Sequence, residues 1–166
     1  MAESSLGGIV AAVLTVSDSV VAGDRKDESG PQAARILSEA GAEVATQDAV
    51  EDDSRLIAAR LRQMCDHLES RLVITTGGTG VSPRDVTPEA TERVSDRLVP
   101  GVAEVMRAVS LSKTPQAALS RAVVGIRGKS LIVNLPGSPQ AVKECMDAIL
   151  PVLPHALELI GGHSPH

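Results

Sequence analysis

The chain contains no phenylalanine, tyrosine or tryptophan in 166 residues. That absence removes the aromatic platforms on which proteins commonly stack bases and pterins, so a heterocyclic ligand must lie against aliphatic side chains and peptide planes, with hydrogen bonds giving selectivity. Packing falls to Val, Leu, Ile and Ala, which bury less area each than aromatic rings, and self-association is expected to bury more. Only two cysteines occur, Cys65 and Cys145, each inside a helical pattern and away from other metal-type ligands. They read as reduced, buried thiols, not a zinc site or a disulfide. The four histidines, His67, His155, His163 and His166, fall outside every motif, so histidine chemistry is not expected. No apolar run approaches the ~20 residues of a membrane span. The start, Met-Ala-Glu-Ser-Ser, has no basic region and does not read as a signal peptide. A soluble cytoplasmic protein without membrane contact is the expectation. A net charge of -5 with no basic stretch argues against nucleic acid as a partner, because affinity for a phosphate backbone rests on Lys and Arg density.

What is present points to an α/β protein. The length, without a long spacer, fits a single domain over residues 1–166, with an ordered core at about 8–160 and a frayed tail at 161–166. Residues 9–16 are continuously apolar, the pattern of a strand buried on both faces. A polar loop follows, then Gly30-Pro31 opens a helix that Gly41 stops. Residues 42–50 make a more polar second strand, and Asp52, Asp53 or Ser54 caps a helix to about residue 69 whose Leu56, Ile57, Leu61, Met64 and Leu68 share an apolar face. The strand at 72–76 completes a βαβαβ pattern. Helices at 88–94 and 101–111 follow, then strands at 122–126 and 130–134 joined through Arg127-Gly128-Lys129 as a hairpin. Ser138 caps the next helix, and Pro151 and Pro154 break the final helical stretch. The expected fold is a three-layer, doubly wound, mostly parallel sheet with an antiparallel edge hairpin.

In such sheets ligands lie beyond the C-terminal ends of the strands, where Ser17-Asp18, residues 50–53 and residues 75–85 should emerge together. Residues 73–91, Val-Ile-Thr-Thr-Gly-Gly-Thr-Gly-Val-Ser-Pro-Arg-Asp-Val-Thr-Pro-Glu-Ala-Thr, carry the densest information. Glycines after a strand let several backbone N–H groups converge on phosphate oxygens without an intervening Cβ. A plain tight turn is the alternative for the glycines alone. Arg84 offers a planar cationic fork to an anionic ligand, while Asp85 in a phosphate site calls for a divalent cation between the two negative charges, Mg²⁺ above all.

This stretch resembles the molybdopterin-binding family of molybdenum cofactor biosynthesis, which includes the Mog and MoaB proteins and the gephyrin G domain. The resemblance runs from about Gly8 to Leu159. It is also carried by Leu14-Thr15-Val16-Ser17-Asp18-Ser19, Asp27-Glu28-Ser29-Gly30-Pro31, Val50-Glu51-Asp52-Asp53 and Asn134-Leu135-Pro136-Gly137-Ser138-Pro139. The resemblance implies an adenylyltransferase in which the terminal phosphate of molybdopterin attacks the α-phosphorus of ATP, releasing pyrophosphate. A phosphate monoester is already anionic at neutral pH, so the task is to align two polyanions and offset their repulsion. No Cys-His or Ser-His pair is needed.

By the same resemblance, Asp52 and Asp85 are the catalytic pair and hold Mg²⁺. Glu51-Asp52 stands where many relatives have Pro-Asp, so Asp53 could exchange roles with Asp52, and a helix cap is the alternative use of Asp52. Ser17 and Asp18 meet phosphates, ribose or the metal, with an exposed turn as the alternative. Thr76, Gly77, Gly78, Thr79, Gly80 and Arg84 meet phosphate or pterin, and Asn134, Pro136, Gly137 and Ser138 form a second substrate loop at a helix N-terminus. An ordinary capped helix start is the alternative there. Arg25 and Lys26 read as solvated loop charges. The resemblance also implies a homo-oligomer, a trimer or hexamer, and a molybdenum-insertion protein as a possible partner. Two other functions compete: a carrier or scaffold that binds molybdopterin without turnover, and a relative acting on a different nucleotide or pyridine substrate.

Overall fold

The computed structural model describes residues 5–163. Residues 1–4, in the stretch that does not read as a signal peptide, and residues 164–166 of the expected frayed tail lie outside them. The elements in chain order are β1 (Val10–Val16), α1 (Asp18–Val21), α2 (Ser29–Glu39), β2 (Glu43–Val50), α3 (Ser54–Arg62), a π-helical turn (Gln63–His67), β3 (Leu72–Thr76) and α4 (Thr87–Val94). Then come β4 (Arg97–Leu98), α5 (Pro100–Leu111), a 3₁₀ turn (Pro115–Leu119), β5 (Val124–Arg127), β6 (Ser130–Leu135), α6 (Pro139–Ile149) and α7 (Leu153–Ile160). The six strands form one sheet in the order β2-β1-β3-β6-β5-β4. β2, β1, β3 and β6 run parallel, while β5 and β4 are antiparallel to their neighbours.

The alternation of side chains along each strand explains the three layers. Ala11 and Val13 of β1, with Ile74 and Val133, face a core built with α2, α5, α6 and α7, including Leu37, Met106, Met146 and Leu157. Ala12, Leu14 and Val16, with Val73 and Ile132, face the opposite core with α3 and α4, including Ile57, Leu61 and Val94. Every residue of β3 is buried, as expected of a central strand covered on both faces. β2 alternates because it is the exposed edge.

Three expectations need correction. Leu56 and Leu68 do not share the apolar face of α3 but are exposed, whereas Ile57, Leu61 and Met64 are fully buried. Leu56 precedes Ile57 and so points about 100° away from it on the helix; before Leu68 the ladder widens into the π-helical turn, which shifts the face. The expected hairpin does add the antiparallel edge, β5 running antiparallel to β6, which is itself parallel to β3; the short β4, which no sequence pattern announced, extends that edge beyond β5. Pro154 does not break a helix but sits in the first turn of α7, where its missing N–H is harmless. The loop after β1 contains the single turn of α1, capped by Ser17. Among the described residues no helix is long and apolar enough to cross a membrane.

Candidate active site

The chain order β1, β2, then β3 on the other side of β1 places a topological switch between β1 and β3, where open α/β sheets form their binding crevice. A cleft of about 660 Å³ lies there, lined among others by Ser17, Asp18, Arg25, Asp52, Gly77–Gly80, Asp85, Gly137 and Ser138. Residues from the ends of β1, β2, β3 and β6 therefore meet in one place. A second cavity of about 320 Å³ adjoins it through Thr79 and Gly80 and is mainly aliphatic, with Ala103, Met106, Leu119, Ala122 and Pro136 on its walls.

Two glycines make the junction possible. A Cβ on Gly77 would stand 2.4 Å from the Val16 carbonyl oxygen, and one on Gly78 would stand 2.3 Å from Thr87 Oγ1 and 3.3 Å from Asp52 Oδ1. Both have positive φ, 92° and 69°, a region costly for side chains with a Cβ. The turn thus lets β3 pass against the end of β1 and under the Asp52 carboxylate. Thr87 closes its neck: its backbone N–H donates to the Gly78 carbonyl and its hydroxyl to the Gly77 carbonyl.

Asp52 and Asp18 hold one another reciprocally. The Asp18 N–H donates to Asp52 Oδ2 at 2.9 Å, and the Asp52 N–H donates to Asp18 Oδ1 at 3.0 Å. Burial, with the charges of Asp18 and Asp85 nearby, raises the Asp52 carboxyl above its ordinary range. The Asp52 backbone N–H, and then the Arg84 guanidinium, lower that of Asp18. Asp53 takes the capping role: its Oδ1 accepts from the N–H groups of Arg55 and Leu56 at the start of α3. The helix-cap alternative for Asp52 is thereby filled by its neighbour, and Asp52 is the one that lines the cleft.

The remaining predicted residues divide. Gly77, Gly78, Thr79 and Gly80 line the cleft together with Gly137 and Ser138. Ser138 caps α6 by accepting from the Ala141 N–H, so an 11-residue helix begins at the cleft wall with its positive end. Ser17 is buried and its hydroxyl accepts from the Val20 N–H and from Arg25. Arg25, exposed as a loop charge should be, also forms part of the cleft wall. Arg84 lies outside the lining: its Nε and Nη2 engage the Asp18 carboxylate. Thr76 is buried and accepts from Ser29 Oγ in α2. Asn134 is fully buried, donating to Thr75 and Thr91 and accepting from the Val123 N–H, so its side chain ties β6 to β3 and α4. Pro136 belongs to the aliphatic cavity. No motif pointed to Arg121, which grips the Asp85 loop from the segment between the 3₁₀ turn and β5; only its spatial neighbours reveal it.

Among the described residues no three His, Cys, Asp or Glu side chains form a metal cage. Mg²⁺ characteristically takes one or two carboxylates and completes its shell with water and substrate phosphate. Asp52 and Asp85 suit that use, since their hydrogen bonds to the Asp18 and Ser82 N–H groups each occupy Oδ2. The donor set is all oxygen and doubly anionic, the chemistry a hard divalent cation requires.

A family model described as a probable molybdopterin binding domain matches residues 12–155. The chain belongs to this molybdopterin-binding family. It is 44% identical over 153 residues to the molybdopterin adenylyltransferase of Helicobacter pylori, covering 91% of this chain and 87% of that one. Among solved structures, the molybdopterin biosynthesis enzyme MoaB from Thermus thermophilus is 49% identical with a TM-score of 0.88, covering 93% of this chain and 97% of that one. The Mog protein of Mycobacterium ulcerans is 38% identical with a TM-score of 0.86, covering 92% and 99%. The cleft at the switch point is thus the candidate active site of a molybdopterin-binding domain.

Proposed function

We propose that the chain is a molybdopterin adenylyltransferase of molybdenum cofactor biosynthesis. The observation that carries this reading is the meeting of two carboxylates, Asp52 and Asp85, with backbone donors of the glycine turn and the N-terminus of α6 in one cleft. In the reaction an oxygen of the molybdopterin terminal phosphate attacks the α-phosphorus of ATP. The new P–O bond forms as the bond to the β-phosphate oxygen breaks, and pyrophosphate leaves with the electron pair.

This chain's residues supply position and charge. The Gly77–Gly80 backbone and the N-terminus of α6 present N–H groups to phosphate oxygens, and Arg25 adds a cation at the cleft wall. Asp52 and Asp85 would hold Mg²⁺, which when bound offsets the repulsion between the two polyanions. The aliphatic cavity beside Thr79 and Gly80 gives a flat ring the non-aromatic walls that this composition requires. Exposed Leu98, Val105 and Leu111 support self-association; the proposed assembly is a trimer or hexamer in the cytoplasm, with a molybdenum-insertion protein taking the product. Light scattering that finds a monomer at working concentration would remove the oligomer from this account.

The decisive assay is incubation of the purified protein with molybdopterin, ATP and Mg²⁺, followed by mass spectrometry of the pterin and measurement of pyrophosphate. Adenylylated product that is lost without Mg²⁺ is the expected result. Tight pterin binding without product would instead make the protein a carrier.

A further inference from the structure

We infer that Arg121 is a positioning residue that sets the placement of Asp85 in the cleft. The Asp85 loop leaves the glycine turn at Gly80 and is exposed over residues 81–84. Its internal bonds, Asp85 N–H to the Ser82 carbonyl and Ser82 N–H to Asp85 Oδ2, give it a local shape. They do not anchor it to the sheet. Thr87 closes the loop farther out, at Gly77 and Gly78, and the Arg84–Asp18 pair that crosses to the β1 loop is solvent-exposed on both sides, a weak tether.

Arg121 supplies the missing anchor. Its backbone N–H donates to the Thr79 carbonyl at 2.8 Å, Nε to the Gly80 carbonyl at 2.6 Å and Nη2 to the Asp85 carbonyl at 2.7 Å, while Nη1 meets the Glu89 carboxylate on α4. One rigid, planar fork thus spans both ends of the exposed segment and the helix after it. The span matters because Gly80 and Asp85 are packed closely: a Cβ on Gly80 would lie 2.9 Å from Asp85 Oδ2. Arg121 fixes the separation at which the Asp85 carboxylate sits. It contacts carbonyl groups, not the carboxylate, so it acts through placement, and lysine cannot reproduce two divergent N–H bonds with one ammonium at fixed geometry.

The inference rests on Asp85 serving the proposed reaction, and a double-mutant cycle separates the two. Arg121→Met, Arg121→Lys, Asp85→Asn and the combined Arg121→Met/Asp85→Asn proteins are compared by kcat and by KM for ATP, with thermal melting to confirm folding. Displacement of a reacting group by about 1 Å costs up to about 100-fold, so Arg121→Met is expected to lower kcat by about 10- to 100-fold with little change in KM. Arg121→Lys should recover little. In the Asp85→Asn background Arg121→Met should cost nothing further, whereas a general structural role would multiply the two losses. Multiplied losses, or wild-type kcat in Arg121→Met beside an inactive Asp85→Asn, would overturn the role of Arg121 alone. Wild-type turnover in Asp85→Asn would overturn the reading of Asp85 and this inference with it. Should Arg121→Met not fold, the Arg121→Lys cycle decides by the same comparison.

Discussion

Asp52 and Asp85 line one cleft, yet the chain holds them by different means. Asp52 stands two residues after the end of β2, is half-buried, and its carboxylate accepts from the N–H of Asp18, 34 residues earlier, whose own carboxylate accepts from the Asp52 N–H. Asp85 stands nine residues beyond the end of β3; among the described residues its carboxylate bonds locally, to the Ser82 N–H, and the grip from outside falls on its carbonyl. The first carboxylate is oriented through its own oxygens, and burial raises its proton affinity. The second is carried on a loop whose position is set by the main chain. One charge held at a strand end and another held on a clasped loop suit a site that must align two polyanions.

The comparison breaks most sharply when the charges are removed. Asp85→Asn is expected to cut kcat by about 10²–10³, the range for loss of one preorganised electrostatic group, while melting stays near wild type. Asp52→Asn should lose as much turnover but diverge in stability. The native Asp52 carboxyl keeps its proton at pH values where the unfolded group, near 3.8, has released it. Its contribution is therefore fullest below that value and falls as pH rises through the folded pKa. Asp52→Asn, which removes this titration, should gain melting temperature over wild type at pH 7 and lose the gain near pH 3. A melting difference that does not change with pH would show that burial does not bear on Asp52 as described.

Next in size is Gly78→Val, which strikes both carboxylates at once because the added side chain meets Thr87 Oγ1 on one side and approaches Asp52 Oδ1 on the other. Strain at such a position costs about 1–3 kcal/mol, readable as a lower denaturant midpoint. Turnover should fall with it even at temperatures where the variant is fully folded. A smaller effect is expected from Asp18→Ala. The Asp18 N–H survives to hold Asp52 Oδ2, so only the acceptor for the Asp52 N–H and the partner of Arg84 are lost. Turnover should drop by less than about tenfold, with KM for ATP as the more sensitive readout because Arg84 is freed. Equal losses from Asp18→Ala and Asp52→Asn would mean that Asp18 itself meets the ligand.

The smallest effect serves as the control. Cys65 packs in the α3–α4 core, away from both carboxylates, and burial pushes its thiol up to about 11. Iodoacetamide should modify it slowly at pH 8 in the folded protein and rapidly in urea, and Cys65→Ala should leave kcat unchanged. Since the folded protein retains this proton at pH values where the unfolded thiol, near 9, has lost it, the thiol's contribution to stability declines as pH rises above about 9.

Much of the frame is legible in the chain itself. Apolar runs at 9–16 and 72–76 mark strands covered on both faces, and their alternation with helical patterns dictates a parallel sheet whose loops gather at one edge. The glycines at 77, 78 and 80 and the carboxylates at 52 and 85 stand in those loops, so their meeting is implied once the strand order is known. The surroundings of individual side chains are less legible, for a physical reason. Asn134, a substrate residue by its motif, is buried against Thr75 and Thr91, 59 and 43 residues away, and lines the aliphatic cavity. Arg84 looks free to fork a phosphate, but Asp18, 66 residues away, engages it.

Local sequence by itself determined most of the strands and helices, the Ser138 cap of α6, and that phosphate-type donors and carboxylates emerge on the same edge. Those properties depend on periodicity and on neighbours within a few residues. Only the tertiary structure decided that Asp53 caps while Asp52 faces the cleft, that the sheet ends at Arg97–Leu98, and that Arg121 reaches Asp85. Each of these depends on the distance between groups far apart in the chain, and hydrogen bonds and charges act over a few ångströms of space, whatever the separation in sequence.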